Sequence, residues 1–475
     1  MIDRREILEL AKEFGLAANV VEKDYVLGWL LAGVYSHPDL SEKWIFKGGT
    51  CLKKCFFETY RFSEDLDFTL LEKEQLNQTF LLKTFGEIAE WIYEASGIEI
   101  PVSGLRFDLF MNPRSVNQGE GRVGYRGPLQ NRGDLPRIKL DLTTDERLVR
   151  PPAVRSVHHP YSDAPEDGIQ ARTYCYEEIF AEKLRALAER ERPRDLYDVI
   201  HLYRRTDANS DRTLVLEILK EKCEFKLIAL PTMSILEEQP KRAELESDWE
   251  HMLAHQLPAL PPFGQFWQEL SQVFTWLYEA EKRVAVASFP FPANVDRAWR
   301  PPAMAQAWGA QVPLEVIRFA AANHLCVDLR YDGSRRLIEP YSLRRTKDGN
   351  LVVHALRHDS GEHRSYRVDR IDGASVTQVL FVPKYEIELT STGPIIAPPT
   401  VQESYRPNRS ALRSRSGFGS ARSRSVSFGP TYVIGCTVCG KHFNRKSFQM
   451  TLREHKDKNG NRCFGRIGYL VETKY

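Results

Sequence analysis

Residues 44–70 contain two segments whose order predicts the architecture of the first half of the chain. The first is Trp44-Ile45-Phe46-Lys47-Gly48-Gly49-Thr50, and the second is Arg61-Phe62-Ser63-Glu64-Asp65-Leu66-Asp67-Phe68-Thr69-Leu70. A short apolar run followed by two glycines predicts a strand that turns into a helix. The second segment alternates apolar and polar residues, which predicts a strand edged with acidic side chains.

Asp65 and Asp67 share one face of that predicted strand, because side chains two residues apart point the same way. Two such carboxylates repel unless a cation lies between them, and Mg²⁺ or Mn²⁺ prefers oxygen ligands. Lys139 and Asp141 add a cation and an acid from a second predicted strand. An isolated Asp-x-Asp is more often a solvated strand face, so the prediction depends on the full order of segments. That order indicates metal-assisted phosphoryl transfer.

The rest of the first half mixes helices and strands. Predicted helices cover residues 1–40, 77–97, most of 211–283 and two segments within 176–204; predicted strands cover 44–46, 61–70, 104–110 and 137–143. Pro193 divides 176–204, because proline disrupts a helix interior. The pattern predicts an α+β fold with a helical C-terminal part.

Over about residues 1–280 the chain resembles the AbiEii-type toxin nucleotidyltransferases of the polymerase-β-like superfamily. The resemblance is carried by Glu22-Lys23-Asp24-Tyr25, Phe46-Lys47-Gly48-Gly49-Thr50-Cys51-Leu52-Lys53, Arg61-Phe62-Ser63-Glu64-Asp65-Leu66-Asp67, Glu182-Lys183-Leu184-Arg185-Ala186-Leu187 and Arg194-Asp195-Leu196-Tyr197-Asp198. It implies a toxin of a toxin–antitoxin or phage-defence system. It also implies transfer of a nucleotidyl group from Mg-NTP to an acceptor hydroxyl, with the 3′ end of tRNA as acceptor and an antitoxin as partner.

The resemblance assigns Asp65, Asp67, Ser63, Lys183 and Asp198 to the site, and the other expected site residues follow from the sequence pattern. The expected catalytic residues are Asp65, Asp67, Asp141, Lys183 and Asp198, with Asp65 and Asp67 as metal ligands. The expected nucleotide-binding residues are Gly48, Gly49, Thr50, Lys53, Ser63, Lys139, Arg185 and Asp195. Two alternatives remain open from the residues alone: an ion pair of Arg194 with Asp195 at a helix start, and a surface position for Asp198.

A second folded region is predicted after the prolines at 290–302. One helix at 313–324 precedes short strands with Asp-Gly turns, at 325–331, 335–343, 351–358, 364–371 and 376–382, which predict a small all-β barrel. Residues 313–385 resemble a WYL domain, although the Trp-Tyr-Leu motif is absent. The resemblance implies a nucleotide or nucleic-acid ligand, for which the expected contacts are Tyr331, Arg336, Tyr341, Arg364 and Arg367. The alternative places the tyrosines in the core and pairs the arginines with Glu339 and Asp369.

The C-terminal part combines a basic segment with a cysteine motif. Residues 401–430 carry six arginines and eight serines against one acid, which predicts a linker that either is a plain tether or contacts nucleic-acid phosphates. The expected ligands of a structural Zn²⁺ are Cys436, Cys439, His455 and Cys463. His442 is the rival ligand, but it follows Cys439 too closely to close a normal loop.

Length and composition bound the protein class. The 475 residues include 66 Lys+Arg and 64 Asp+Glu, for a net charge of +2, with 42% hydrophobic and 27% charged residues. These values exclude wholesale disorder, a collagen-like fibre and a small disulfide scaffold. The chain contains no run of 18 apolar residues, so no membrane partner is expected, and eight sparse cysteines favour the cytoplasm.

The expected division is a nucleotidyltransferase domain at 1–285, a WYL-like barrel at 310–390, an Arg/Ser-rich linker at 400–430 and a zinc-finger-like segment at 431–475. The function expected first is that of an RNA-directed nucleotidyltransferase. Two alternatives remain: a transcriptional regulator with an inactive transferase domain, and an enzyme that modifies a protein hydroxyl.

Overall fold

The computed structural model describes most of the chain: residues 1–57, 60–112, 114–130, 133–205, 211–238, 241–279, 287–301, 314–389, 431–439, 441–445, 452, 455–456, 462–463 and 468–474. Two compact units contain these residues, Met1–Gln402 and Glu403–Tyr475. The expected Arg/Ser-rich linker at 400–430 lies outside the described residues.

The first unit contains both helices and strands. The helices are α1 (Arg4–Phe14), α2 (Ala18–Ser36), α3 (Gly48–Cys51), α4 (Gln78–Ser96), α5 (Tyr176–Arg190), α6 (Pro193–Arg204), α7 (Arg212–Lys226), α8 (Met233–Glu237), α9 (Lys241–Leu253), α10 (Phe263–Glu279) and α11 (Leu314–Ala322). The strands are β1 (Trp44–Lys47), β2 (Asp65–Leu70), β3 (Leu105–Met111), β4 (Asn117–Gly124), β5 (Arg137–Thr143), β6 (Ala153–Val157), β7 (Ile169–Thr173), β8 (Leu325–Tyr331), β9 (Ser334–Arg345), β10 (Leu351–Arg357), β11 (His363–Arg367) and β12 (Ile371–Leu380).

A seven-stranded mixed sheet forms the centre of the first unit, in the order β3-β4-β5-β2-β1-β7-β6. The pairs β2–β5 and β1–β7 are parallel, and the other neighbours are antiparallel. Leu66 and Phe68 of β2 are fully buried beside Phe46 of β1. Because strand side chains alternate, this apolar anchoring turns Asp65 and Asp67 toward the other face.

Two groups of helices accompany the sheet. The almost continuously apolar α2 packs against α1, α4 and β7, while α5, α6, α7, α9 and α10 pack on one another. Pro193 is the first residue of α6, where a missing N–H costs nothing. The predicted break within 176–204 is therefore confirmed, because α5 ends at Arg190 and Glu191 adopts a left-handed conformation.

A five-stranded antiparallel sheet follows, in the order β11-β10-β9-β8-β12, with α11 packed against β8, β9 and β12. The predicted helix and all-β strands of this region are confirmed. Asn323, just after α11, accepts a hydrogen bond from Tyr197 on α6 at 3.2 Å, and Arg204 donates to the Ala322 carbonyl at 2.8 Å. The expected nucleotidyltransferase and WYL-like regions therefore share buried contacts within one compact unit.

Three strands of the first sheet were absent from the sequence expectation, and β4 shows why. Its segment Asn117–Gly124 is rich in glycine, which lowers strand propensity. A side chain at Gly121 would approach the Phe107 ring to 2.6 Å, so the aromatic ring of the neighbouring strand fills that space. The predicted strand at 61–70 is also shorter than expected, because β2 begins at Asp65.

The described part of the second unit contains five strands: β13 (Thr431–Cys436), β14 (His442–Arg445), β15 (His455–Lys456), β16 (Arg462–Cys463) and β17 (Gly468–Lys474). One sheet has the order β14-β13-β17, and β15 pairs with β16. Among the helices described in the whole chain, none is both long and apolar enough for a membrane crossing.

Candidate active site

The polar face of β2 lines a cleft with a volume of about 240 Å³. Eight basic residues line it: Lys47, Arg61, Lys139, Lys183, Arg185, Arg190, Arg192 and Arg194. Seven acidic residues line it as well: Asp65, Asp67, Asp141, Glu146, Glu182, Glu189 and Asp195. Such a mixture of opposite charges suits a ligand that is itself mixed, namely a polyphosphate with a divalent cation.

Three expected carboxylates meet at the parallel pairing of β2 with β5. The register sets Asp65 beside Lys139 and Asp67 beside Asp141. Asp141 forms an ion pair with Lys139 at 2.8 Å, whereas the carboxylates of Asp65 and Asp67 have no hydrogen-bond or ion-pair partner among the described residues. The cleft thus presents two carboxylates whose charge no side chain in the described chain balances directly.

Burial and the nearby charge of Asp141 make these two carboxylates reluctant to ionise. Burial, followed by the charge of Asp141, raises the pKa of Asp67 to about 6 and also raises the pKa of Asp65. A bound divalent cation would relieve both effects. The donor set of Asp65 and Asp67 therefore fits Mg²⁺ or Mn²⁺.

The two glycines let the backbone approach these side chains closely. Gly48 has a φ of +78°, and a Cβ there would lie 2.0 Å from Oδ2 of Asp67. A Cβ on Gly49 would lie 2.4 Å from the Arg61 guanidinium and 3.0 Å from the Ser63 hydroxyl. Both glycines and Ser63 line the cleft, which leaves them available for the expected contact with a nucleotide.

Lys183 lies at the base of the cleft on α5, where two aspartates of α6 hold its ammonium group. Its Nζ lies 2.7 Å from Asp198 and 3.1 Å from Asp195. Asp195 also accepts two hydrogen bonds from Arg190, at 2.7 and 2.9 Å. The alternative in which Asp195 pairs with Arg194 is therefore wrong.

Asp198 lies beneath the cleft and does not line it. Its carboxylate accepts two hydrogen bonds from Arg61, at 2.7 and 2.8 Å, and one from the Tyr60 hydroxyl at 2.6 Å. Burial opposes ionisation, but the charges of Arg61 and Lys183 outweigh it and hold the pKa of Asp198 well below its usual range. The surface alternative for Asp198 is therefore wrong, because Asp198 is fully buried against Lys183 and Arg61. Its expected catalytic role stays a prediction.

Two further expectations are corrected. Thr50 is fully buried, and its hydroxyl donates to the main-chain carbonyl of Asp65, so it serves the backbone. Lys53 lies outside the cleft, with its ammonium nitrogen 4.7 Å from the centre of the Phe62 ring. Neither side chain lines the cleft: Thr50 is buried within α3, and Lys53 lies in the π-helical turn Leu52–Phe56 that follows it.

Arg185 lines the cleft as expected, but it is bound to Glu146 at 3.2 Å and to Glu189. The sequence analysis did not predict Lys47 as a site residue. Its ammonium group lies 3.0 Å from Glu182, and the residue pairs with Asp67 in the β1–β2 register. The available signal was its position directly before the two glycines.

The expected WYL-region contacts divide into core and surface groups. Tyr341 is fully buried and donates to Glu339 at 3.4 Å, so its expected ligand contact is corrected in favour of the core alternative. Tyr331 packs edge-on against Tyr366, and Arg336 donates to the Tyr331 carbonyl at 2.7 Å. The partially exposed arginines form ion pairs: Arg364 with Glu362 and Arg367 with Asp369, both within one strand or turn.

A separate cluster of potential metal ligands lies in the second unit. The ligand atoms of Cys436, Cys439, His455 and Cys463 all lie within 4.8 Å of one another. The Sγ atoms of Cys436 and Cys463 are 3.8 Å apart, and Cys439 Sγ is 3.4 Å from His455 Nε2. Metal–sulfur bonds of about 2.3 Å and metal–nitrogen bonds of about 2.0 Å place tetrahedral ligands roughly 3.5–3.8 Å apart. The expected set, without His442, therefore has the separations of a four-coordinate metal site.

Local hydrogen bonding favours thiolate at this cluster. The backbone N–H groups of Cys439 and Val438 point at Cys436 and lower the pKa of its thiol to about 6. Thiolate is the form that binds metal. The four residues together can hold one divalent ion such as zinc.

Comparisons with known proteins agree with this architecture. The family model for the nucleotidyl transferase AbiEii toxin of type IV toxin–antitoxin systems matches residues 29–279, and the WYL domain model matches residues 313–376. No curated protein matches the chain.

Solved structures to which this chain is similar include the MenT4 nucleotidyltransferase toxin of Mycobacterium tuberculosis. The sequence identity is 19% and the TM-score is 0.41, and the match covers 58% of this chain and 88% of that one. The JHP933 protein of Helicobacter pylori is 18% identical with a TM-score of 0.35, covering 56% of this chain and 94% of that one. Proteasome accessory factor B/C of Arthrobacter aurescens is 12% identical with a TM-score of 0.14, covering 59% and 62%.

The match over residues 29–279 spans more than half of the chain and includes every residue that lines the cleft. The protein therefore belongs to the AbiEii family of nucleotidyltransferase toxins from type IV toxin–antitoxin systems, and it carries a WYL domain after its enzyme domain.

Proposed function

We propose that this protein transfers a nucleotidyl group from an NTP, bound with Mg²⁺ or Mn²⁺, to a hydroxyl of RNA. One observation carries the proposal: Asp65 and Asp67 present unbalanced carboxylates in a cleft that also holds eight basic side chains. Two partly buried acids without a counter-ion are costly, and a divalent cation accompanied by phosphates would balance their charge.

Several residues in and beneath the cleft have a role in this proposal. Asp65 and Asp67 would hold the divalent ion, which when bound neutralises charge on the transferring phosphate. Gly49 and Ser63 would contact the triphosphate, and Lys183 would place a positive charge beside it. Asp198 would keep Lys183 and Arg61 in place through the contacts at 2.7 Å.

The transfer step would proceed at the α-phosphorus of the NTP. The acceptor oxygen forms a bond to that phosphorus, the bond to the bridging oxygen breaks, and pyrophosphate leaves. Asp141 would accept the proton of the acceptor hydroxyl, since its side chain is 43% exposed and opens toward the cleft. Lys139, whose ammonium nitrogen lies 2.8 Å from Asp141, would hold that carboxylate in place.

The proposed acceptor is the 3′ end of tRNA, and the proposed setting is the cytoplasm of a cell that also contains an antitoxin. Membership of a toxin–antitoxin family supports the setting. A WYL domain in the same chain supports a regulatory or nucleic-acid-binding contribution. The fourfold cluster in the second unit would hold structural Zn²⁺, because three thiols and one imidazole are ligands that zinc prefers.

The test is transfer of label from each of the four α-labelled NTPs, with Mg²⁺, to total bacterial RNA. The matched control is Asp65→Asn, which keeps the size of the side chain and removes its charge. The proposal expects label in tRNA-sized RNA with wild type, reduced on the order of 100-fold or more in the variant. Label in protein would favour a protein-modifying enzyme, and a lack of label with every NTP would contradict transferase activity.

A further inference from the structure

Six of the eight cations that line the cleft are already neutralised by carboxylates of the described chain. Lys47, Arg61, Lys139, Lys183, Arg185 and Arg190 each have an acidic partner within 4 Å. Arg192 and Arg194 are the exceptions: neither forms an ion pair with any described residue. They flank Pro193, at the junction between α5 and α6.

The local geometry explains why Arg194 lacks a carboxylate. Its sequence neighbour Asp195 turns inward to Lys183 and Arg190 and is almost completely buried. The Arg194 guanidinium donates a long hydrogen bond of 3.5 Å to the Met252 carbonyl. Burial, followed by repulsion from Arg61, lowers the pKa of Arg194. An anion beside Arg194 would relieve that repulsion.

Arg61 also marks where such an anion would lie. Its guanidinium touches the space beside Gly49 and Ser63, the two residues at which the triphosphate is proposed to bind. Arg194 and Arg192 line the same cleft as these two residues, and Arg192 is exposed. A guanidinium offers a planar set of N–H donors that matches phosphate oxygens in pairs.

We propose that Arg192 and Arg194 form a phosphate-binding pair at the entrance of the cleft. The pair takes phosphate groups of the substrate, either the polyphosphate of the NTP or a backbone phosphate of the acceptor strand. The inference rests on the proposed function, since both sources are substrates of the transfer. The shared cleft with Gly49 and Ser63 favours the NTP.

The experiment measures equilibrium binding to the full chain, with Mg²⁺ present, and therefore does not depend on turnover. The probes are the four NTPs, inorganic tripolyphosphate as a competitor, the matching nucleosides and a tRNA pool. The variants are Arg192→Gln and Arg194→Gln, with Arg5→Gln as control, because Arg5 lies on α1 outside the cleft and is 83% exposed. Arg192 is also exposed, so its replacement keeps the test valid if Arg194→Gln proves unstable.

Loss of NTP and tripolyphosphate affinity by about 10- to 100-fold in the variants, with unchanged RNA affinity, identifies the polyphosphate as the ligand. Loss of RNA affinity with a reduced salt dependence, and unchanged NTP affinity, identifies a strand phosphate. If Arg192→Gln and Arg194→Gln bind every probe as tightly as Arg5→Gln does, the inference is wrong. The proposed transferase function is unaffected by that result. If wild type binds none of the NTPs, the proposed function fails, and the tripolyphosphate and tRNA measurements still decide the inference.

Discussion

The ammonium nitrogen of Lys183 lies 2.7 Å from Oδ2 of Asp198, and Asp198 has no exposed surface. The same carboxylate receives two hydrogen bonds from Arg61. One buried acid on α6 therefore fixes two basic side chains of the cleft, although it does not reach the cleft itself. Helix α6 consequently links the hydrophobic core to the site of the proposed reaction.

Asp198→Asn should lower activity because the neutral amide no longer holds Lys183 and Arg61 by charge. We expect kcat to fall on the order of 100-fold in protein shown to be folded, and the free energy of unfolding to fall by about 3–5 kcal/mol, as for other broken buried ion pairs. The matched control is Tyr60→Phe, which removes a hydrogen bond of 2.6 Å to the same carboxylate without touching its charge.

Tyr60→Phe should cost about 1 kcal/mol of stability and leave kcat within a few-fold of wild type. Steady-state kinetics and denaturant unfolding of both variants distinguish positioning from plain stability. A folded Asp198→Asn protein with the kcat of wild type would show that Asp198 does not position the site.

Comparison of Gly48→Ala with Gly333→Ala should distinguish the effect of a steric clash in the cleft from the effect of backbone strain. The new Cβ would lie 2.0 Å from Oδ2 of Asp67, so the carboxylate must move. Gly333 provides the control: its φ of +72° is close to the +78° of Gly48, but nothing lies within 4 Å of its Cβ position. Both substitutions carry a strain of about 1–2 kcal/mol.

We therefore expect a loss of stability of about 1–2 kcal/mol from Gly333→Ala and a larger loss from Gly48→Ala, which adds the clash with Asp67. Activity should fall on the order of 100-fold in Gly48→Ala alone, because only that variant displaces Asp67. Thermal unfolding and label transfer measure the two effects. Equal activities would mean that Asp67 tolerates displacement.

Glu13 should make stability depend on pH at the contact between α1 and α11. Burial, followed by the nearby charge of Glu315, raises the pKa of Glu13 to about 7, while Arg318 opposes the shift. The folded state thus binds a proton more tightly than the unfolded state, so this contribution to stability is complete below about pH 4.5 and is lost as the pH rises toward 7.

Glu13→Gln removes that dependence. Because Glu13 is partly solvated, we expect a gain of only about 1 kcal/mol over wild type at pH 8, shrinking to about zero near pH 4.5. Urea unfolding of both proteins across this range measures the difference. A difference that stays constant with pH would exclude Glu13 as its source.

The cysteine cluster should bind one metal ion per chain. Loss of that ion should affect the second unit alone. Cys463→Ser removes one of four ligands, so the zinc content of the full chain should fall from about one equivalent to well below half. Cys175→Ser is the control, since Cys175 lies before α5 and outside the cluster. Elemental analysis after dialysis gives the content, and equal zinc in both variants would contradict the site.

The sequence was most informative where a single element carries the pattern. Asp65 and Asp67 share a face because a strand repeats every two residues, and the register with Lys139 and Asp141 continues that face. Pro193 marks the division between α5 and α6 for an equally local reason. Glycine-rich β4 escaped prediction because its stability comes from Phe107 on the neighbouring strand.

Local spacing alone thus determined the α+β class, the paired carboxylates and the cysteine motif of this protein. The tertiary structure decided which charges meet: Asp195 binds Lys183, twelve positions earlier in the chain, and leaves the adjacent Arg194 unpaired. It also buried Thr50 and Tyr341 and placed the Lys53 ammonium group over the Phe62 ring. The reason is physical, because periodicity follows from backbone geometry, whereas partners of buried charges depend on how separate elements pack together.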